Sequence, residues 1–238
     1  MWPYCDIGSF CYEKDIQYHT HFNLFIKKIE HKKDNIKVVQ IINNINFMIN
    51  HPNIQGLYLY ENLINSTEES NLLKTINHNV WSTELSRRVQ HYGYKYDYKK
   101  RKVNIDDYLG ELPEEFDYLG QKIVKSINDS NIYETSLNVK YFDQLIINEY
   151  KKNQGISPHI DCVPCFDDCI CSVTLGNEAD MTFAKDDVSY DVKLKRKSLV
   201  VLTGDARHNW THGIYSNKNK NFSEMQPRVS LTYRHVKQ

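Results

Sequence analysis

The sequence predicts a mainly β protein in which helices come first and a core of short strands follows. After Asp143, short apolar segments recur at regular intervals with turns between them, which is typical of a sandwich, a barrel or a jelly roll. Helical spacing of apolar residues is confined to the first half of the chain. The 238 residues, 40% hydrophobic and 25% charged, can bury a proper core. At about 150 residues per domain, they allow one or two domains.

The balance of charges argues against a histone-like polycation, although a local basic patch stays open. Lys+Arg is 30 and Asp+Glu is 30. No run of about 18 apolar residues occurs, so no membrane-spanning helix is predicted. The start, MWPYCDIGSF, has neither the basic nor the apolar region of a secretory signal. We therefore expect a cytoplasmic protein, with the nucleus as the alternative location.

Residues 1–50 are predicted to form a partly helical N-terminal extension, and residues 51–238 the main domain. Within the extension, Phe22–Ile29 and Val38–Ile49 carry apolar residues at mixed spacing. The main domain is predicted to begin with a short strand, Gly56–Tyr60. A helix is then expected from Ser66 to about Asn77, because a Ser cap is followed three residues later by Glu69.

The remaining elements follow from spacing along the chain. Arg87–Tyr98 alternates as a strand does, and Leu112–Ile127 returns to helical spacing. Six short strands are predicted after Asp143. They are Gln144–Tyr150, Cys169–Leu175, Met181–Phe183, Val188–Leu194, Ser198–Leu202 and Val229–Tyr233.

Six cysteines need an explanation, and four of them are crowded into ten residues. Cys5 and Cys11 lie early, and the crowded four are Cys162, Cys165, Cys169 and Cys171. Disulfides are not expected in a reducing compartment. Zinc is the alternative, but paired C-x-x-C hooks in zinc sites are normally separated by a longer loop. We expect partly buried thiols, with Cys169 and Cys171 on one face of a strand.

The segment around His159 and Asp161 carries the most chemical information. Residues two apart share one side of an extended segment, so both side chains can point at one metal ion. Two histidines and one carboxylate leave three coordination positions open, which suits non-haem Fe(II) oxygen chemistry. His212 is the best-placed second histidine, because it follows a strand and a turn at Thr203–Asp205. His208 and His235 are the competitors, and a turn histidine bonded to the backbone is the plain alternative.

Arg228 and Arg234 lie six residues apart on a predicted strand, so both face the same way. Two guanidinium groups in an apolar core are costly unless they meet anions. A dicarboxylate cosubstrate would provide such an anion through bidentate pairing. The alternative is a pair of salt bridges at a sheet edge, which contributes little.

Taken together, H-x-D, a single histidine about 50 residues on and a C-terminal R-x5-R resemble the AlkB family of Fe(II)/2-oxoglutarate-dependent oxygenases. The family's N-x-Y strand motif is matched by Asn148 and Tyr150. The resemblance covers about residues 54–236. It is closest in appearance to the branch that oxidises the tRNA wobble uridine. The stretches that match this branch are Gly56–Leu57, Arg88–Tyr94, Asp143–Leu145, Gly155–Ile156, Ser172–Gly176, Thr203–Gly204 and Trp210–Ile214.

The resemblance implies a double-stranded β-helix, a jelly roll with its site between two sheets. It implies that three residues ligate Fe(II) and form the catalytic centre: His159, Asp161 and His212. It also implies that four residues hold the cosubstrate 2-oxoglutarate, with Arg228 at the far carboxylate and Arg234 near the chelating end: Asn148, Tyr150, Arg228 and Arg234. O2 would be the second cosubstrate.

A basic and aromatic run, Arg87–Lys102, holds seven Lys/Arg and four Tyr. Cations neutralise phosphates and aromatic rings stack on unpaired bases, and the resemblance places a nucleotide-recognition lid here. The residues predicted to contact nucleic acid are Arg87, Arg88, His91, Tyr92, Tyr94, Lys95 and Tyr96. A solvated hairpin whose tyrosines pack on the core is the alternative. The second basic run, Lys193–Lys197, is expected to be a solvated turn.

The function expected from the resemblance is oxidation of a modified base in tRNA or another RNA. Repair demethylation of alkylated DNA or RNA bases is the alternative within the same chemistry. A retained hydroxyl would indicate the first reaction, and released formaldehyde the second. Two further alternatives stay open: a protein-modifying oxygenase, and a zinc-dependent or non-catalytic nucleic-acid-binding module. The chain ends four residues past Arg234, so a separate tRNA methyltransferase would have to prepare a methylated substrate.

Overall fold

The computed structural model describes residues 48–130, 139–216 and 226–237. The predicted helical segments of the extension up to residue 47, together with Cys5 and Cys11, lie outside these residues. Over the described ranges, no helix combines the length and the apolar character needed to cross a membrane.

Two antiparallel sheets make up most of the fold. The large sheet has the order β1-β2-β10-β7-β12-β5-β3-β4, and the small sheet has the order β6-β11-β8-β9. The strands are β1 Met48–Asn50, β2 Leu57–Tyr60, β3 Val89–Asp97, β4 Lys102–Tyr108, β5 Gln144–Tyr150, β6 Ile156–His159, β7 Ile170–Leu175, β8 Ala179–Lys185, β9 Val188–Leu194, β10 Leu199–Leu202, β11 Thr211–Ile214 and β12 Arg228–Arg234. The predicted mainly β fold with flanking helices is confirmed.

The large sheet packs one face against helices and presents the other to the small sheet. Helices α1 (Ser66–His78) and α2 (Glu114–Asp129) share a buried apolar cluster with Leu231 and Tyr233 of β12. The Tyr233 hydroxyl also donates to the carbonyl of Phe116 in α2, at 2.9 Å. Because side chains alternate along a strand, the arginines at both ends of β12 point to the opposite face, towards the small sheet.

The capping residue of helix α1 lies one position earlier than the sequence predicts. The cap is Asn65, whose side chain accepts the N–H groups of Thr67 and Glu68, while the Glu68 carboxylate accepts the Asn65 N–H. This reciprocal arrangement corrects the predicted cap at Ser66, because Asn65 satisfies the same free donors. Glu69 is instead fully buried, and its carboxylate accepts from Arg196 (2.7 and 2.8 Å) and from the Gly176 N–H (2.9 Å).

Apolar segments between polar residues or turns were predicted well as strands, whereas some short or polar strands were not predicted. Gln144–Tyr150 and Val188–Leu194 have the predicted bounds. The exposed edge strand β4 has no buried face to signal it. Strand β1 lies within the predicted extension but pairs with β2. The predicted turn at Thr203 is the start of a short helix, α3 (Gly204–His208).

Candidate active site

Three side chains from the small sheet meet at one point. His159 ends β6 and lies opposite His212 of β11 in the strand register, so the two rings face the same side. Their ring centroids are 4.5 Å apart, and His159 Nε2 lies 3.7 Å from an Asp161 carboxylate oxygen. One possible ligand atom from each of the three lies within 4.8 Å of the others. Among the described residues, this is the one group with the geometry of a metal site.

The histidines are prepared for metal coordination. His159 Nδ1 lies 2.8 Å from the carbonyl oxygen of Ser157, and because a carbonyl only accepts, Nδ1 must carry the proton. In the neutral ring, the lone pair is then on Nε2, which faces Asp161. Burial lowers the pKa of His212 to about 4, and its buried Nδ1 has no hydrogen-bond partner. Neutral imidazole is the form that binds a metal, so these residues fit Fe(II).

The third ligand is kept ionised by an arginine from the other sheet. Arg234 Nε and Nη2 donate to the Asp161 carboxylate at 3.2 to 3.3 Å. Burial alone would raise the pKa of Asp161, but Arg234 and the neighbouring histidines hold it well below its ordinary value. Arg234 Nη1 donates to the Gln144 side chain at 3.0 Å, and its guanidinium stacks 5.0 Å from the Phe166 ring.

Arg228, at the other end of β12, is a fully buried cation. Its side chain is 1% exposed, Nη2 donates to the Thr174 hydroxyl at 3.1 Å, and Nε has no partner. No carboxylate of the described residues forms an ion pair with it, and burial lowers its pKa. Its guanidinium lies 5.3 Å from the ring of Tyr150. A buried guanidinium is stable only with a compensating partner, so this end of the site fits a carboxylate ligand.

The polar wall between the sheets comes from alternate residues of the large sheet. Asn148 and Tyr150 lie on β5, two residues apart, and Asn148 Oδ1 accepts from Arg87 Nε at 2.8 Å. The hydroxyls of Ser172 and Ser230 are hydrogen-bonded at 2.9 Å. The structure thus places all four predicted 2-oxoglutarate residues on the large sheet, although Asn148 already has a protein partner.

The competing histidines pair with other carboxylates. His208 Nε2 lies 2.7 Å from Asp168, and His235 Nδ1 lies 2.8 Å from Asp143. Because α3 turns His208 towards Asp168, it does not join the His159 group. His212, four residues later on β11, does join it.

The predicted nucleic-acid residues divide between the two faces of β3. His91, Tyr94 and Tyr96 lie on the side of the small sheet, where Tyr96 stacks 6.0 Å from Phe166. Lys95 is exposed, and Arg87 contacts Asn148.

Arg88 and Tyr92 face the helices instead. Tyr92 and Tyr94 are two residues apart yet face opposite sides, because Gly93 between them, at a φ of +70°, interrupts the strand alternation. Arg88 donates to Glu149 at 2.6 and 2.9 Å. Tyr92 packs 4.9 Å from Phe116 and hydrogen-bonds Gln90 and Asn79. Both side chains therefore lie on the face of β3 opposite the metal group, and their predicted contact with nucleic acid stays a prediction.

Two aromatic residues near the site were not singled out from the sequence. Tyr98 follows the end of β3, yet its ring lies 5.6 Å from His91 and 5.9 Å from the Arg87 guanidinium. Burial raises its pKa. Phe166 is 2% exposed and lies in the loop after β6. Tyr98 belongs to the run of tyrosines that carried a signal, whereas a loop phenylalanine carries none.

The cysteine prediction is wrong in one respect. Cys162 and Cys165 form a disulfide, with their Cα atoms 5.2 Å apart, because a tight loop brings residues three apart into bonding range. Both sulfurs lie near the Arg101 carbonyl, at 3.5 and 3.9 Å. Cys169 and Cys171 are buried free thiols, as expected, with sulfurs 3.7 Å apart. Within the described part of the chain, the cysteines form no metal-binding group.

The second basic run is neutralised locally. Lys193 pairs with Glu178 and Asp180, and Lys195 pairs with Glu61. Within this run, Lys193 and Lys195 are therefore ion-paired and less suited to bind a phosphate, while Lys197 contacts the Ser66 hydroxyl.

Comparison with known proteins identifies the family. The 2OG-Fe(II) oxygenase superfamily profile matches residues 56–234. The chain belongs to this superfamily. Its members use Fe(II), 2-oxoglutarate and O2, and His159, Asp161 and His212 fit the iron.

Relatives confirm the resemblance to AlkB. An Arabidopsis thaliana protein, "Alkylated DNA repair protein ALKBH8 homolog", is 34% identical over 209 residues, 78% of this chain and 59% of that protein. A Mus musculus protein, "tRNA (carboxymethyluridine(34)-5-O)-methyltransferase ALKBH8", is 37% identical over 172 residues, 68% of this chain and 24% of that protein. This chain therefore spans about three fifths of the Arabidopsis relative and about a quarter of the mouse relative.

The fold is shared with a solved structure, that of OsALKBH1. The TM-score is 0.62 at 15% identity, over 79% of this chain and 99% of that one. At this identity the comparison supports the jelly-roll fold, and the site is argued from the residues above.

Arg228→Met is expected to weaken 2-oxoglutarate binding by about 2–5 kcal/mol, because the far carboxylate loses its buried cation. The free protein should keep its stability, because methionine removes a buried charge that has no carboxylate partner. Calorimetry with Mn(II) in place of Fe(II) measures the first quantity, and urea unfolding the second. Arg88→Met, on the opposite face, is the control and should bind 2-oxoglutarate normally. If Arg228→Met binds 2-oxoglutarate with unchanged affinity, another group must bind the far carboxylate.

His91 should make stability fall with acid. Burial and neighbouring cations, Lys95 foremost, lower the pKa of His91 to about 4, whereas an unfolded histidine titrates near 6.5. The unfolded chain therefore binds a proton that the folded chain resists, and stability drops by about 2 kcal/mol as the pH falls from about 7.5 to about 5. In urea unfolding measured over this pH range, His91→Gln should show a free energy of unfolding that falls less with acid than that of the wild type. A variant with the full wild-type dependence would contradict this assignment.

Proposed function

We propose that this chain is a 2-oxoglutarate-dependent dioxygenase that oxidises a base in tRNA. The observation that carries the proposal is the meeting of His159, Asp161 and His212. On the facing sheet lies Arg228, a buried cation that pairs with no carboxylate of the described residues. A metal site with open positions beside a buried cation is what a dicarboxylate cosubstrate requires.

Each residue has a task that follows from its environment. His159, Asp161 and His212 would hold Fe(II), and bound Fe(II) with 2-oxoglutarate and O2 supplies an oxidant for unactivated C–H bonds. Arg234 keeps the Asp161 carboxylate ionised. Arg228 would neutralise the far carboxylate of the cosubstrate, and the buried polar wall would orient it.

The tRNA part of the proposal is supported by the β3–β4 hairpin. Its turn carries exposed cations, Lys99, Lys100, Arg101 and Lys102. These cations lie near the aromatic rings of Tyr96 and Tyr98, on the same side of β3 as the site. The centroids of the two rings are 5.2 Å apart, in an edge-to-face arrangement. Cations bind the phosphate backbone, and aromatic rings stack on a base taken out of its helix. The mouse relative's name adds a tRNA nucleoside to this reasoning.

Repair demethylation is the second candidate, because the Arabidopsis relative is named as a DNA repair protein. The same site would serve both reactions, since an oxidised N-methyl group leaves as formaldehyde and an oxidised carbon keeps its hydroxyl. Should the product be a hydroxylated ester, we propose that a separate tRNA methyltransferase supplies the substrate.

Turnover tests the proposal directly. The Fe(II)-loaded protein should convert 2-oxoglutarate to succinate, faster with total tRNA, and His159→Ala should abolish this because one metal ligand is removed. His208→Ala is the control and should stay active, because His208 pairs with Asp168 outside the metal group. Succinate without stimulation by tRNA would refute the RNA substrate. Absence of succinate from the wild-type protein would refute the oxygenase.

Removing hairpin charge should weaken tRNA binding and flatten its salt dependence. In the double variant Lys99→Gln/Lys102→Gln, we expect the slope of log K against log salt to fall by about 0.7–0.9 for each phosphate that is no longer neutralised. Binding is measured by fluorescence anisotropy with Mn(II) and 2-oxoglutarate present. Lys193→Gln/Lys195→Gln removes the same charge from the ion-paired run and should bind normally. Equal weakening in both variants would show a general charge effect and contradict the hairpin interface.

A further inference from the structure

Arg207 is a buried cation whose hydrogen bonds all go to main-chain carbonyls. It is 2% exposed and lies in α3, between β10 and β11. Its guanidinium donates to the carbonyl of Asp161 at 2.9 Å and to that of Cys162 at 3.1 Å. Longer bonds reach Asp167 (3.4 Å) and Phe166 (3.5 Å). The acceptors span one loop, residues 161–167, which begins with a proposed metal ligand.

The Cys162–Cys165 disulfide closes only the short turn within this loop, so the main chain at Asp161 is held from outside the loop. The loop connects β6 to β7, and apart from one turn and the bridge of Phe166 to Val236 it has no regular structure. Buried carbonyls without donors are costly, and a planar guanidinium can serve several carbonyls at fixed angles. Without Arg207, the loop would lose the donor that fixes the main chain at Asp161.

Helix α3 is itself hydrogen-bonded to neighbouring segments and leads directly into β11, which carries His212. The Ala206 N–H donates to the Gln55 carbonyl at 2.9 Å, next to β2. The Gly204 N–H donates to the Asp168 carboxylate at 3.1 Å. Five residues after Arg207, the chain reaches His212 on β11. Arg207 therefore connects the segment bearing His212 to the loop bearing Asp161.

We infer that Arg207 is a positioning residue of the metal centre. Asp161 is held at two points: Arg234 holds its carboxylate, and Arg207 holds its carbonyl. The second contact sets where the main chain of Asp161 lies relative to His159 and His212. Groups that orient metal ligands typically change metal affinity by about 10- to 100-fold when removed. The inference rests on the proposed function only in needing a metal at these three residues.

Arg207→Met and Arg207→Lys test this through anaerobic titration with Co(II), followed by its d–d absorption. We expect Arg207→Met to raise the Co(II) dissociation constant by about 10- to 100-fold and to shift the absorption band, because Asp161 moves. The Co(II) dissociation constant of Arg207→Lys should lie between those of the wild type and Arg207→Met, because one ammonium group donates to fewer carbonyls than a guanidinium does. If the methionine variant does not fold, the lysine variant decides the question by the same two readouts.

Arg196→Met is the matched control. It removes a guanidinium from the buried carboxylate of Glu69, which lies on α1 on the opposite face of the large sheet. It should lower the urea midpoint at least as much as Arg207→Met and leave the Co(II) affinity and spectrum unchanged. Loss of Co(II) affinity in Arg196→Met as well would overturn the inference, because general destabilisation would then suffice.

Two other outcomes are distinguishable. Wild-type Co(II) affinity and spectrum in a destabilised Arg207→Met would limit Arg207 to a structural role and leave the oxygenase proposal standing. Equal Co(II) binding by the wild type and His159→Ala would instead show that these residues do not form a metal site, and it would contradict both proposals.

Discussion

The ion pair between Arg234 and Asp161 is the interaction on which the site depends, because it joins the two sheets at the metal group. Arg234 comes from β12 of the large sheet and Asp161 follows β6 of the small one. Both side chains are 10% exposed. Burying two charges carries a desolvation cost that their attraction does not always offset. The pair is thus better explained by its effect on Asp161, which it keeps ionised for a cation, than by stability.

Strand alternation places the remaining groups, and this part of the site could be predicted from the sequence. Asn148 and Tyr150 share a face of β5, and Arg228 and Arg234 share a face of β12, because residues an even number apart point the same way. H-x-D needs only that His159 and Asp161 lie on one extended segment. These are local relations, so the motif spacing was sufficient to identify them.

What the sequence could not predict depends on contacts between distant segments. Alternation along β3 separates Arg88 from His91, but it does not say which face meets the small sheet. The Cys162–Cys165 disulfide depends on how tightly the loop after β6 closes. Arg207 carried no signal, because its partners are main-chain carbonyls about 40 to 46 residues away along the chain, and carbonyl acceptors leave no mark in a sequence.

Three buried arginines show how the partner set, rather than burial, determines the role of a guanidinium. Arg207, Arg228 and Arg234 are each at most 8% exposed. Arg207 is satisfied by carbonyls, so it can fix a loop without calling for a ligand. Arg234 is satisfied by a carboxylate whose ionisation it maintains. Arg228 has neither a carbonyl nor a carboxylate partner among the described residues, and a buried charge in that state needs an anion. The unmatched arginine therefore marks the place where a carboxylate ligand belongs.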